Sequence, residues 1–195
     1  FVASHNGDTM AGDASNTVNS YLTVSSYPSL SVDLNTSNMI KGALADADKQ
    51  AEQIASRVNE VAASGCKTGI SVAAENVGNS VVVNVKVKSA NVDNCRVAVW
   101  LLEDGIVAAQ TGGSSTEVHN NVLRASSSAV AYGDRIQLDA DGAGQNVCRL
   151  DVSGAHDLSN CRLVVFTAVP NASGRFVVDN VVTCPLDGQT AFEYE

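Results

Sequence analysis

The 195-residue sequence lacks two features that would assign it to common functional classes. No apolar run is long enough to form a membrane-spanning helix. Lys and Arg number only 12 against 21 Asp and Glu, which gives a formal net charge of −9. Nucleic-acid binding requires clustered basic residues. Here they are scattered along the chain, so we expect no nucleic-acid partner.

Motifs of catalytic and metal sites are also missing. The sequence contains no G-x-S-x-G, no C-x-x-C and no Cys/His spacing that suits zinc. Residues 138–146 (LDADGAGQN) suggest a calcium loop, but Leu150 stands where such a loop often has a bidentate acid. Asp-Gly is also an ordinary turn dipeptide. We therefore predict a protein that is not an enzyme, with no metal site and no cofactor.

The five cysteines leave two interpretations open. They are Cys66, Cys95, Cys148, Cys161 and Cys184. The last four could form disulfides in an exported protein, with three possible pairings. Alternatively, the cysteines are buried thiols that act as small hydrophobic side chains.

The first third of the chain indicates alternating strands and helices. We predict a short strand over residues 1–4, a helix over residues 9–23 capped by Asp8, and a strand over residues 29–34. The last of these begins just after Pro28, which lacks an N–H, and a cis Tyr27–Pro28 bond is compatible with that position. The chain also begins at Phe1 without a signal peptide, so we expect that an upstream segment has been removed.

The clearest predicted element is a helix over residues 38–64. Apolar residues recur there at spacings of four and three, which places them on one stripe that we expect to pack on a sheet. The stripe consists of Ile40, Leu44, Ala47, Ala51, Ile54, Val58 and Val61. Ser37 or Asn38 would cap the start of the helix and Gly65 its end.

From Ile70 onward the hydrophobic period changes to two, which indicates β-strands. We predict seven strands, over residues 70–76, 80–88, 95–104, 135–139, 146–152, 161–169 and 175–183. Short strands with regular turns are typical of an antiparallel β-sandwich. The sequence thus predicts an α+β chain with an α/β segment over residues 1–66 and a sandwich domain over residues 67–195.

Two family resemblances sharpen this prediction. The strand, helix, Pro-led strand and long helix resemble the second half of a thioredoxin-like domain, with Tyr27-Pro28-Ser29 at that family's cis-Pro turn. That family's C-x-x-C would lie upstream of Phe1. The motifs VAVWLLEDGIVAAQ, EVHNNVLRASS and YGDRI are similar to the 28-kilodalton outer-membrane-protein family of Bacteroidetes-type bacteria. This second resemblance implies a thioredoxin-like segment followed by an Ig-like sandwich, in a surface-exposed lipoprotein of the cell envelope that binds or adheres.

His119, Arg124 and Asp134 are the candidate binding residues. Arg124 could clamp an anion and His119 could serve as its titratable partner. The alternative is a crossover loop whose polar side chains satisfy backbone groups, with Glu103, Asp104 or Asp134 paired to Arg124.

Three functions follow from these observations. We favour a non-catalytic envelope protein that binds a protein or glycan ligand, with any membrane association through a removed amino-terminal anchor. The alternative is the non-redox remainder of a thiol-disulfide oxidoreductase. A third is a structural subunit that self-associates through exposed sandwich edges.

Overall fold

Most of the structure consists of antiparallel β-strands, with two α-helices near the amino terminus, which confirms an α+β chain. The structure is a computed structural model that describes residues 1–89, 94–110 and 114–192. The helices are α1 (Asp13–Tyr21) and α2 (Ala47–Ala62). The described strands are β1 (Ser29–Leu30), β2 (Ile40–Lys41), β3 (Thr68–Val77), β4 (Ser80–Ser89), β5 (Cys95–Glu103), β6 (Ile106–Ala108), β7 (Glu117–His119), β8 (Val122–Ser126), β9 (Asp134–Ile136), β10 (Ala143–Asp151), β11 (Cys161–Pro170), β12 (Phe176–Cys184) and β13 (Gly188–Thr190).

Within the described ranges, two antiparallel sheets contain every strand of nine or more residues. One has the order β10-β4-β3-β13, and the other has the order β12-β11-β5-β8, with β9 also paired to β5. Alternate side chains of the two sheets meet in one apolar cluster, because successive residues of a strand point to opposite faces. This cluster includes Ile70, Val72, Val81, Val83, Val85, Val87, Val97, Val99, Leu101, Leu163 and Val165. The period of two places Val81, Val83, Val85 and Val87 on one face of β4, and this is the face that is buried.

The five-stranded sheet is buried on its second face as well. Trp100 and Phe166, from β5 and β11, pack edge to face there, with ring centroids 4.7 Å apart. Val18 of α1 and Leu22 just after it belong to the same buried cluster. The amino-terminal segment thus covers the outer face of this sheet, which explains why β5 is apolar at nearly every position.

The predicted amino-terminal elements are shorter than expected. Residues 1–4 form no strand beyond a single parallel bridge between Ala3 and Val122. The predicted strand over residues 29–34 ends at Leu30, because Asp33 and Leu34 have φ angles of 55° and 56°, which a strand does not allow. The Tyr27–Pro28 peptide bond is cis.

Both predicted helices begin later in the chain than the sequence indicated. Helix α1 starts after Gly12, while Asp8 accepts hydrogen bonds from the backbone N–H groups of Met10 and Ala11 in the preceding turn. Helix α2 starts at Ala47, with the side chain of Asp46 as its cap. The prediction that residues 38–46 are helical is wrong.

The apolar stripe of α2 is not a core face. No residue of this helix is buried, and Val58 is 46% exposed. A helix can keep such a pattern without burying it, because periodicity fixes only which side chains share a face. The prediction that this stripe packs against a sheet is therefore wrong, whereas the stretch from Ala47 to Ala62 was correctly predicted as helical.

All five cysteines are free thiols. None of the five cysteines forms a disulfide, and Cys95, Cys148 and Cys184 are buried, in accord with the buried-thiol interpretation. Strands β10 and β11 lie in different sheets, so the segment between Cys148 and Cys161 crosses between sheets and forms no hairpin. The sequence also predicts a turn over residues 91–94 and a loop over residues 112–116, and both lie partly outside the described residues.

Candidate functional site

A buried ion pair organises the carboxyl end of β5. The side chain of Glu103 is 1% exposed, and its Oε2 lies 3.1 Å from Nε of Arg124 on β8. Its Oε1 accepts hydrogen bonds of 2.8 Å from the backbone N–H groups of His156 and Asp157. One carboxylate thus holds both β8 and the segment that joins β10 to β11.

Arg124 joins three segments of the chain. Its Nη1 donates to the carbonyl oxygen of Met10 at 3.3 Å, and its Nη2 donates to that of Gly154 at 2.6 Å. The contact between Nε and Oε2 of Glu103 is an ion pair by distance, without the geometry of a hydrogen bond. Of the three predicted acidic partners, Glu103 is the one that Arg124 contacts.

A second ion pair lies beside the first and fixes two turns. Asp104 accepts from Nη1 of Arg162 at 2.5 Å and from the backbone N–H of Asn121 at 2.6 Å. Arg162 also donates to the side chain of Asn121. The turn after β5 and the turn between β7 and β8 are therefore held against each other by charge-assisted hydrogen bonds.

His119 lies on β7 at the same end of the molecule and is 8% exposed. Its Nε2 is 3.3 Å from the carbonyl oxygen of Ala108, and its ring meets that of His5 edge to face, with centroids 5.2 Å apart. Nδ1 of His5 is 2.8 Å from a carboxylate oxygen of Asp8. Burial opposes ionisation of Asp8, yet the hydrogen bonds to His5 and to backbone N–H groups lower its pKa overall.

Asp134 does not join His119 and Arg124. It lies on β9 opposite Val97, six positions along β5 from Glu103, which corresponds to about 20 Å at the usual rise of a strand. Its carboxylate accepts a hydrogen bond of 3.0 Å from Ser128. The structure thus brings two of the three candidate residues to one end of β5 and leaves the third at the other.

A shallow cleft of about 260 Å³ lies at this end of the molecule. Glu103 is among its lining residues, together with Val107, His156 and Asn160. Val107 is 63% exposed and Val118 is 60% exposed. These two residues are direct cross-strand partners on β6 and β7. We call Val107, Val118, His156 and Asn160 the end-loop surface. Sequence reasoning missed it because β6 and β7 have only three residues each, too few for a period to show.

The ionisable groups at this end include a thiol and several carboxylates. Cys161 is the thiol beside Glu103, and burial, together with the nearby carboxylate charge, raises its pKa to about 12. Little of it is the nucleophilic thiolate at neutral pH. In the described part of the chain, no three His, Cys, Asp or Glu side chains are grouped so that they could hold a metal ion. Within residues 138–146, Asp139 accepts hydrogen bonds from the backbone N–H groups of Asp141 and Ala143, in the turn that leads into β10.

Comparison with known proteins gives one family and one solved structure. The sequence model described as outer membrane protein Omp28 matches residues 15–189. HBP35 of Porphyromonas gingivalis superposes with a TM-score of 0.75 at 14% sequence identity, over 98% of this chain and 65% of that one. This chain thus spans slightly less than two thirds of that chain, and identity at this level concerns the fold alone. A search of curated proteins finds no match. No helix among the described residues is long and apolar enough to cross a membrane.

Proposed function

We propose that the chain, which belongs to the outer membrane protein Omp28 family and lies in the cell envelope, is a non-catalytic module. Its function is to bind or adhere to a protein or glycan. The end-loop surface is the observation that carries this proposal. It combines an exposed pair of apolar side chains with a polar cleft, the mixture that protein interfaces and ligand sites use.

The two ion pairs support the proposal by making this surface rigid. Binding residues are commonly placed on loops that a stable scaffold positions, and ordered loops lose less conformational entropy when a ligand binds. In this proposal Arg124 and His119 position the loops, and the exposed side chains around them contact the ligand. Asp134 has no part at this end of the molecule.

Binding of the full chain to immobilised extracellular matrix proteins and glycans tests the proposal. The doubly substituted Val107→Ser, Val118→Ser protein should bind about tenfold more weakly, which corresponds to the loss of roughly one buried apolar side chain. Val77→Ser is the matched control, because Val77 is 49% exposed and lies outside this surface. An absence of binding to every protein and glycan in a broad panel would contradict the binding function. An equal loss of affinity for Val77→Ser would contradict the placement of the binding site on the end-loop surface.

Self-association is a second candidate that one observation favours. Strand β10 is a nine-residue edge strand that pairs only with β4 among the described strands, and Val147 at its centre is 60% exposed. Unpaired edges of this kind can add a strand from another chain. Light scattering that shows a strict monomer at high protein concentration would exclude it.

We also propose that residues 1–66 correspond to a reduced thioredoxin-like segment and residues 67–195 to an Ig-like sandwich. The order of α1, a short strand and α2 supports the first assignment, and the two facing sheets support the second. Limited proteolysis tests the division, since a domain boundary near Cys66 should be the first site of cleavage.

A further inference from the structure

A cluster of arginines and aromatic rings lies at the other end of β5, on the outer face of the five-stranded sheet. We call it the arginine–aromatic cluster; it consists of Arg96, Arg135, Arg175, Tyr21, Tyr132 and Phe176. It is remote from the end-loop surface and does not depend on the function proposed there.

The rings of this cluster are packed in a continuous row. Tyr132 and Phe176 are stacked, with centroids 4.7 Å apart and an interplanar angle of 14°. Tyr21 lies 5.1 Å from Tyr132 and donates a hydrogen bond of 2.6 Å to the carbonyl oxygen of Phe176. The hydroxyl of Tyr132 has no hydrogen-bond partner within the described ranges, and its ring is half-buried. The row therefore presents both an apolar surface and a free polar group.

Two guanidinium groups lie over rings of this row. Arg96 lies 4.8 Å from the centroid of Phe176 and 5.5 Å from that of Tyr132, while Arg175 lies 4.7 Å from that of Tyr21. Such contacts attract a cation to an aromatic face but leave its charge uncompensated.

Two of the arginines are placed directly opposite each other. Arg96 on β5 and Arg135 on β9 are cross-strand partners, so their Cβ atoms are roughly 4.5–5.5 Å apart on the same face of the sheet. Like charges in this position destabilise a sheet. The arrangement is therefore costly in the free protein unless an anion neutralises it.

No carboxylate in the described part of the chain performs that neutralisation. The ion pairs of the structure involve other residues. Nε of Arg96 is buried and has no hydrogen-bond partner among the described residues, and buried polar groups are normally satisfied. Asp134 is adjacent to Arg135 in sequence, but neighbouring residues of a strand point to opposite faces, and its carboxylate is bonded to Ser128. In a protein with a net charge of −9, three unpaired cations in one place need an explanation.

We propose that the arginine–aromatic cluster binds an acidic sugar, one that carries a carboxylate or sulfate group. The guanidinium groups of Arg96 and Arg135 bind the oxyanion, for which their planar donor geometry is suited. The half-buried rings of Tyr132 and Phe176 lie against the sugar, and the hydroxyl of Tyr132 bonds to one of its hydroxyl groups. A free anion would use the arginines alone, whereas the aromatic row beside them gives the site a place for the sugar.

Isothermal titration of the full chain with defined oligosaccharides tests this site. The acidic probes are a hyaluronan tetrasaccharide, which carries glucuronate, and a chondroitin sulfate tetrasaccharide. Chitotetraose is the neutral probe and sodium sulfate is the anion without a sugar. We expect binding of at least one acidic probe and not of chitotetraose, and roughly tenfold weaker binding for Arg135→Gln, since a hydrogen bond to a charged group is lost.

Arg149→Gln is the matched control, because Arg149 is also an exposed arginine on a strand, β10 of the other sheet. It should bind the acidic probe as the unaltered protein does. The proposal would be overturned if Arg149→Gln weakened binding as much as Arg135→Gln does, or if chitotetraose bound as tightly as the acidic probes. It would also be overturned if neither acidic probe bound, or if sulfate bound but none of the oligosaccharides did.

Thermal unfolding without ligand provides a second, independent measurement. Because Arg135→Gln removes the repulsion with Arg96, its melting temperature at low salt should be higher than that of the unaltered protein, and added salt should reduce the difference. At the same concentration, the acidic probe should raise the melting temperature of the unaltered protein by more than that of the variant. A variant that melts lower than the unaltered protein at low salt would contradict the repulsion on which the proposal rests.

Discussion

Substitution of Arg124 by alanine should strongly destabilise the protein. The change removes the counter-charge of Glu103, whose side chain is 1% exposed, and two hydrogen bonds to the carbonyl groups of Met10 and Gly154. Removing one partner of a buried ion pair costs about 3–5 kcal/mol, because the other charge remains buried without compensation. For a chain of this size that corresponds to a fall in melting temperature of roughly 6–20 °C.

Urea unfolding measures this loss directly as a change in the free energy of unfolding. Arg149→Ala is the control, since substitution of an exposed arginine should change that free energy by no more than about 0.5 kcal/mol. The double variant Glu103→Leu, Arg124→Met should be less destabilised than Arg124→Ala, because both charges are then absent and their volume is kept. A loss below about 1 kcal/mol for Arg124→Ala would refute the structural role that we assign to this residue.

Two further predictions concern titration and thiol reactivity. Burial, and then the charge of a neighbouring carboxylate, raise the pKa of Asp33 above 3.8. This carboxyl group therefore destabilises the folded state progressively as the pH rises from about 3.8 to its higher pKa in the folded state, and by the full amount above that pKa. Asp33→Asn should therefore increase the free energy of unfolding at pH 7 and lose that advantage below about pH 3.8; an equal gain at both pH values would contradict this. In the folded protein at pH 8, iodoacetamide should modify the exposed Cys66 well before Cys95 and Cys161, because burial raises the pKa values of those two thiols to about 12. Mass spectrometry measures the rate of alkylation at each cysteine. Equal rates at all three would show that burial does not control their reactivity.

The motif YGDRI shows how a sequence signature acquires a physical meaning only in the fold. Gly133 has a φ of 85°, and a Cβ atom there would lie 2.2 Å from the carbonyl oxygen of Val97. Only glycine allows β9 to approach β5 this closely. The family assignment that this motif helped to suggest is confirmed, but the reason for its glycine depends on a strand more than 30 residues earlier in the chain.

The candidate site was only partly predictable from the sequence. The pairing of Arg124 with Glu103 was among the alternatives, because an isolated arginine in a β-rich chain needs a partner. Which acid it would contact could not be predicted, since the register between β5 and β8 shifts between Leu101 and Leu102. The arginine–aromatic cluster was missed altogether, because its six residues come from four separate segments of the chain.

By itself, the sequence determined the local structure wherever a period was long enough to read. The alternation of residues 80–88 specified a strand and its buried face, and the spacing of apolar residues from Ala47 to Ala62 specified a helix, because side-chain direction follows backbone geometry. Only the tertiary structure decided what those faces would meet. It covered both faces of β5 and left the stripe of α2 exposed, because burial depends on which other segments are adjacent in space, and no local pattern contains that information.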